Sequence, residues 1–139
     1  MKYLIDTCVV SELLRPRPNA SVVAWLEHTA ENSLFLSVLT VGEIQKGIEK
    51  LASGKRRNTL QRWVDQDLAA QFEGRILPVD HEVATTWGRI QAALEMAGKP
   101  LPTLDGLLCA TAQAHNLTVV TRNTRNFEPS GVHVLNPWT

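Results

Sequence analysis

The sequence predicts a three-layer α/β fold built on a short, mostly parallel central sheet. Its strand-like runs are brief and apolar on successive residues, as strands covered on both faces must be. Longer stretches with apolar residues at helical spacing separate them, which is the alternation that builds a parallel sheet. With 44% hydrophobic residues and a formal net charge of zero, the chain is rich enough in apolar surface to collapse around a core. Its 139 residues suit one domain, taken as 1–139, and show no internal repeat, low-complexity segment or linker.

Residues 2–6 (KYLID) read as the first strand, stopped by an acid, and Thr7 opens a helix that Pro16 and Pro18 halt after Leu14. Asn19 is a suitable N-cap for a second helix carrying Val22, Val23, Trp25 and Leu26. Residues 34–37 (LFLS) form the second strand. Thr40 and Glu43 then match a capping box at the start of a helix with Val41, Ile44, Ile48 and Leu51 on one face, ended by Ser53-Gly54. A helix over about 57–72 follows, then a short strand or extended turn at 76–79. The next helix runs over 80–96 and stops at Gly98-Lys99-Pro100. Another begins near Thr103 and ends at His115, with Asn116 as its stop. Residues 117–121 (LTVVT) are the clearest β-branched strand, and 132–135 the final short one.

Several classes of function are disfavoured. No window reaches the ~18 uninterrupted apolar residues of a membrane span, and Asp6 interrupts the first apolar run too early for a signal peptide. A soluble, cytoplasmic protein that does not engage a membrane is the expectation. Cys8 and Cys109 are too few for a zinc cage and do not form a disulfide framework. His28, His81, His115 and His133 show no metal spacing, and neither a Gly-x-Ser-x-Gly elbow nor a Gly-rich phosphate loop occurs. Trp25, Trp63 and Trp87 lie in helices and read as packing residues ahead of base-stacking ones. Between residues 46 and 62, Lys46, Lys50, Lys55, Arg56, Arg57 and Arg62 face only Glu49. This patch suits phosphates, and equally reads as the solvated face of a helical hairpin.

In open parallel sheets ligands bind beyond the carboxyl ends of the strands. Asp6 ends the first strand, Glu43 is placed in the first turn of the helix after the second, Asp105 opens the helix before the fourth, and Asn123 follows that strand. Each has a structural alternative, since acids at helix starts gain roughly 0.3–1 kcal/mol from the macrodipole and Asn is a common turn residue. Together, three carboxylates crowded into one cleft repel one another unless a cation neutralises them. Oxygen donors without Cys or His select hard ions, Mg²⁺ or Mn²⁺. One or two such ions would activate water and stabilise charge on a phosphoryl group, as in many nucleases.

The stretches YLIDTCVVSELLRP, LSVLTVGEIQKGI, GRILPVDHEVATTWGRI, TLDGLLCATAQAHNLTVVTRN and VHVLNPW, in this order, span nearly the whole chain. In this set the chain resembles the PIN-domain ribonucleases that serve as toxins of VapBC-type toxin–antitoxin pairs, and among them the FitB-like group. The resemblance implies a PIN-like fold and a metal-dependent endoribonuclease leaving 5′-phosphate and 3′-hydroxyl ends. The catalytic set would be Asp6, Glu43, Asp105 and Thr121, and the metal set Asp6, Glu43, Asp105 and Asn123. Thr7 and Ser11 would support Asp6, and Arg122, Lys46 and Arg56 would meet the RNA. It implies as partners a cognate antitoxin that binds DNA and a second copy of the chain. The apolar residues Val22, Trp25, Leu26, Ile44, Ile48 and Leu51 are expected to contribute an antitoxin groove beyond what the core uses. The alternative within the same resemblance is a subunit of a DNA-binding regulatory complex with little nuclease activity. Two departures stand out: Cys8 occupies a position where many relatives have Asn, and Asn123 and Asn126 stand where a fourth acid is often found.

Overall fold

Five short strands line up side by side in the computed structural model, which describes residues 1–139. They are β1 (Tyr3–Ile5), β2 (Leu34–Ser37), β3 (Ile76–Leu77), β4 (Thr118–Val120) and β5 (Val134–Leu135), in the order β3-β2-β1-β4-β5. Every neighbouring pair is parallel, so the expected sheet is present and wholly parallel. The chain builds outward from β1 to β3, then crosses to the other side of β1 to lay down β4 and β5. That reversal leaves a crevice at the carboxyl ends of β1 and β4.

Alternation along each strand divides the core in two. Ile5, Leu34, Leu36 and Val120 point to one face, where α1 (Thr7–Leu13), α2 (Ala20–Glu27) and α3 (Val38–Glu49) cover them with Val9, Val10, Val22, Ile44 and Ile48. Leu4 and Val119 point to the other, under α6 (His81–Met96) and α7 (Thr103–His115), which bring Val83, Ile90, Leu94, Leu108 and Cys109. Each fully buried aliphatic side chain stabilises the fold by about 1.5–3 kcal/mol against exposure. Val22, Ile44 and Ile48 are therefore spent on the chain's own core, while Trp25, Leu26 and Leu51 stay partly exposed. No helix is long and apolar enough to cross a membrane.

The caps at Asn19, Asp80 and Asn116 are where the sequence puts them. Asn19 accepts from the N–H groups of Ser21 and Val22, Asp80 from that of Val83, and Asn116 closes α7 in the left-handed conformation at φ 54°. The Thr40–Glu43 capping box does not form. Ser37, the last residue of β2, caps α3 instead by accepting from Leu39 N–H, so the helix starts at Val38 and Glu43 lies in its second turn. Thr40 is buried and its hydroxyl has no partner. The expected helix over 57–72 begins earlier and is composite: α4 (Lys55–Arg62), a π-helical stretch Trp63–Leu68, and α5 (Ala69–Gln71). A last short helix, α8 (Thr124–Phe127), follows β4.

Candidate functional site

The parallel ladder fixes the centre of the site. Asp6 N–H donates to the Val120 carbonyl across β1 and β4, which places the first residue after β1 against the end of β4. Asp6 is 9% exposed and caps α1: its Oδ1 accepts from Thr7 N–H at 2.8 Å. Its Oδ2 accepts from the fully buried Thr121 hydroxyl at 2.8 Å. Asp6 thus caps α1, one of the two readings that the sequence leaves open.

Thr7 does not hold Asp6 through its side chain. Its hydroxyl donates to Glu43 Oε1 at 2.7 Å, tying α1 to α3. Ser11 is exposed and makes no bond to Asp6, so its expected supporting role is not seen. Asp105 lies in the first turn of α7, half-buried. Burial raises its carboxyl above the ordinary range, and the charges of Asp6 and Glu43 push it further the same way. The three acids therefore share one electrostatic cleft. None has a basic partner, because the ion pairs of the chain are Arg15–Glu12, Arg57–Glu49 and Arg75–Glu31. Their oxygens do not converge into a closed three-residue ligand cluster. Two of them are held by threonine hydroxyls, Glu43 by Thr7 and Asp6 by Thr121.

Asn123 stands at the start of α8 with its side chain exposed and making no cap, while its N–H donates to Thr121 Oγ1 at 3.0 Å. Its backbone steadies the hydroxyl that holds Asp6. Arg122 is exposed, and its N–H donates to Cys8 Sγ at 3.4 Å. Arg56, exposed on α4, lines a cleft of about 220 Å³ with Thr7, Ser11 and Glu43. Lys46 is exposed three residues beyond Glu43 on α3. Of the basic residues expected to meet RNA, Arg56 shares a cleft with Glu43, while Lys46 and Arg122 are exposed on α3 and in the loop after β4.

Three contributors were not foreseen. Cys8 Sγ donates to Asp6 Oδ2 at 3.5 Å, and burial pushes its thiol up, with the Arg122 N–H opposing and the Asp6 charge adding to the rise. Gly106, next to Asp105, is buried against α6, where a Cβ would lie 2.9 Å from Trp87 Nε1 and 3.3 Å from Gln91 Oε1. Glu12 is 5% exposed, with Oε2 accepting from Asn19 N–H at 3.1 Å and Oε1 from Trp138 Nε1–H at 3.3 Å. A glycine directly after an acid at a helix start was the only visible signal for Gly106. The Trp138 partner of Glu12 and the Arg122 partner of Cys8 lie more than a hundred positions away.

A family model described as the PIN domain matches residues 3–129. The chain is 43% identical over 135 residues to Toxin FitB of Neisseria gonorrhoeae, covering 97% of each. It is 35% identical to the VapC ribonuclease Y4jK of Sinorhizobium fredii, covering 97% of this chain and 96% of that one. A solved structure of FitAB bound to an IR36 DNA fragment superposes with a TM-score of 0.93 at 42% identity, over 99% of this chain and 96% of the other.

Proposed function

Because the chain belongs to the PIN-domain family, we propose that it acts as the toxin of a type II toxin–antitoxin pair, hydrolysing RNA phosphodiester bonds as an endoribonuclease dependent on Mg²⁺ or Mn²⁺. The observation that carries this reading is the set of three acids, Asp6, Glu43 and Asp105, around the β1–β4 crevice with no basic residue to neutralise them. An oxygen-only donor set suits a hard divalent ion, and the Asp105 carboxyl, raised by burial and then by the charges of Asp6 and Glu43, is one whose ionised form such an ion stabilises. When bound, the ion supplies Lewis acidity toward water and the phosphoryl oxygens.

The residues of the chain do the positioning. Asp6 and Asp105 are the principal ligands, with Thr121 orienting Asp6 through its hydroxyl. Glu43, held by Thr7, completes the ligand set or accepts the proton of the attacking water. Asn123, whose side chain is exposed, adds a carbonyl oxygen to the ligand set. Arg56, Lys46 and Arg122 offer exposed cations to the RNA backbone. The whole of 1–139 works as one domain. Its partners are a cognate DNA-binding antitoxin and a second copy of the chain, an assembly supported by the similarity to a FitAB complex on DNA.

That same similarity favours one second reading, a subunit of a DNA-binding regulatory complex with slight nuclease activity. Induced expression separates the two. The nuclease reading expects growth arrest that requires Asp105, with new 5′-phosphate RNA ends appearing shortly after induction. Binding to the antitoxin without arrest and without new ends would overturn it.

A further inference from the structure

Arg122 extends from the residue next to Thr121, yet its guanidinium forms no ion pair within the chain. It lies instead over the ring of Trp138, 5.5 Å from the centroid, within the range of a cation–π contact. Trp138 is itself fixed at several points. Its N–H donates to Asn136 Oδ1 at 2.9 Å, and its Nε1–H donates to Glu12 Oε1 at 3.3 Å. Glu12 is nearly inaccessible, and its other oxygen receives Asn19 N–H. The indole is thus bolted to α1, and the arginine stacks on the indole.

Two anchors therefore define where Arg122 points. Its backbone N–H is held at Cys8, and its head rests on a ring bonded to Glu12, four residues or about one helical turn further along α1. The carboxylate at the start of α1 is Asp6. A guanidinium so placed has its N–H donors free for an anion, and stacking restrains the rotamers that it would otherwise lose on binding. The Arg122 backbone adjoins Thr121, whose hydroxyl holds Asp6, and so its head is set to reach a phosphate next to the one being cut.

We propose that Trp138, braced by Glu12, is a positioning residue that presents Arg122 to an RNA phosphate flanking the scissile one. This rests on the ribonuclease reading. The contribution belongs to substrate binding, so loss of either residue raises KM and leaves kcat nearly unchanged.

The test uses the full chain and a short fluorescein-labelled, mixed-sequence single-stranded RNA, with affinity followed against salt and cleavage followed against RNA concentration. Arg122→Ala and Trp138→Ala should each weaken binding about tenfold and reduce the salt slope by about 0.7, the value for one phosphate on a single strand. The double variant should be little worse than either single one, because both remove the same contact. Trp138→Leu, which fills apolar space without a π face, guards against loss of the fold and should behave like Trp138→Ala. Trp138→Leu that melts like wild type and keeps both affinity and salt slope would overturn the proposal, as would additive losses in the double variant. Wild-type chain that neither binds nor cuts RNA would sink the ribonuclease reading itself, an outcome distinct from RNA binding that ignores Trp138.

Discussion

Asp105 differs from its two companions in how it is held. Asp6 and Glu43 each receive a threonine hydroxyl, whereas the Asp105 carboxyl is raised by burial and by the charges of the other two. A carboxyl whose folded pKa exceeds its unfolded value favours the protonated fold. Its contribution is complete below the ordinary carboxylate range and is lost as pH rises through the raised folded value. At neutral pH, without metal, wild type therefore bears the full cost of the Asp105 charge. Asp105→Asn should melt higher than wild type at neutral pH in chelator, by a few degrees at most because the group is half-exposed, and the gap should close in acid. The same variant should lose RNA cleavage by about a hundredfold or more, since a ligand charge is gone. Equal melting curves at neutral pH, or wild-type cleavage at saturating Mg²⁺, would remove Asp105 from the cluster.

The start of α7 is set by how closely that helix approaches α6, and Gly106 permits the approach. Alanine there gains up to about 1 kcal/mol in helix propensity. Its Cβ, however, would sit 2.9 Å from the rigid Trp87 indole, and overpacking of that kind costs about 1–3 kcal/mol. The clash wins, so Gly106→Ala should lower stability by roughly 1–2 kcal/mol in denaturant titrations. It should also slow cleavage, because the turn that carries Asp105 must move; unchanged stability and rate would show that α6 yields freely. This dependence was hidden in the sequence, where Gly106 is one more residue in an apolar-periodic stretch. Strand ends, by contrast, were readable, because Asp6 and the residues after 117–121 interrupt β-branched or apolar runs at visible points. The start of α3 was misread because Ser37 and Thr40 are both competent caps and only the latter has Glu three residues on; the strand's end brings Ser37 to Leu39 N–H first. The π stretch Trp63–Leu68 has no signature in a 3.6-residue period. Asp6 and Asp105 were legible as strand-end and helix-start positions, whereas Glu43 lies a turn deeper in its helix than expected, and the bonds Thr7–Glu43, Thr121–Asp6 and Trp138–Glu12 join distant segments, pairs that no local pattern encodes.

The order β3-β2-β1-β4-β5 puts the acids where the chain reverses its direction of growth, so the sheet and the candidate site share their central strands. Binding an ion there acts on the whole fold. A ligand that binds only the folded chain stabilises it by RT ln(1 + [L]/Kd), about 2.7 kcal/mol at a hundredfold excess over Kd. For a chain of this size that is a rise in Tm of roughly 5–10 °C. Coordination requires ionised carboxylates, and the Asp105 carboxyl, raised in the fold by burial and by the charges beside it, takes up a proton at higher pH than it would in the unfolded chain. The Tm increment from Mn²⁺ should therefore be large at neutral pH and shrink on acidification. In chelator the Asp105 contribution runs the opposite way, since its repulsion with Asp6 and Glu43 is relieved in acid. Thermal melts over a pH series, with Mn²⁺ and with chelator, should give curves that converge at low pH and separate toward neutrality. Asp105→Asn should narrow that separation at neutral pH from both sides, by weakening the ion's hold and by stabilising the metal-free chain. An Mn²⁺ increment independent of pH, or equal in the variant, would mean that the ion binds elsewhere and that the three acids at the β1–β4 crevice do not form its site.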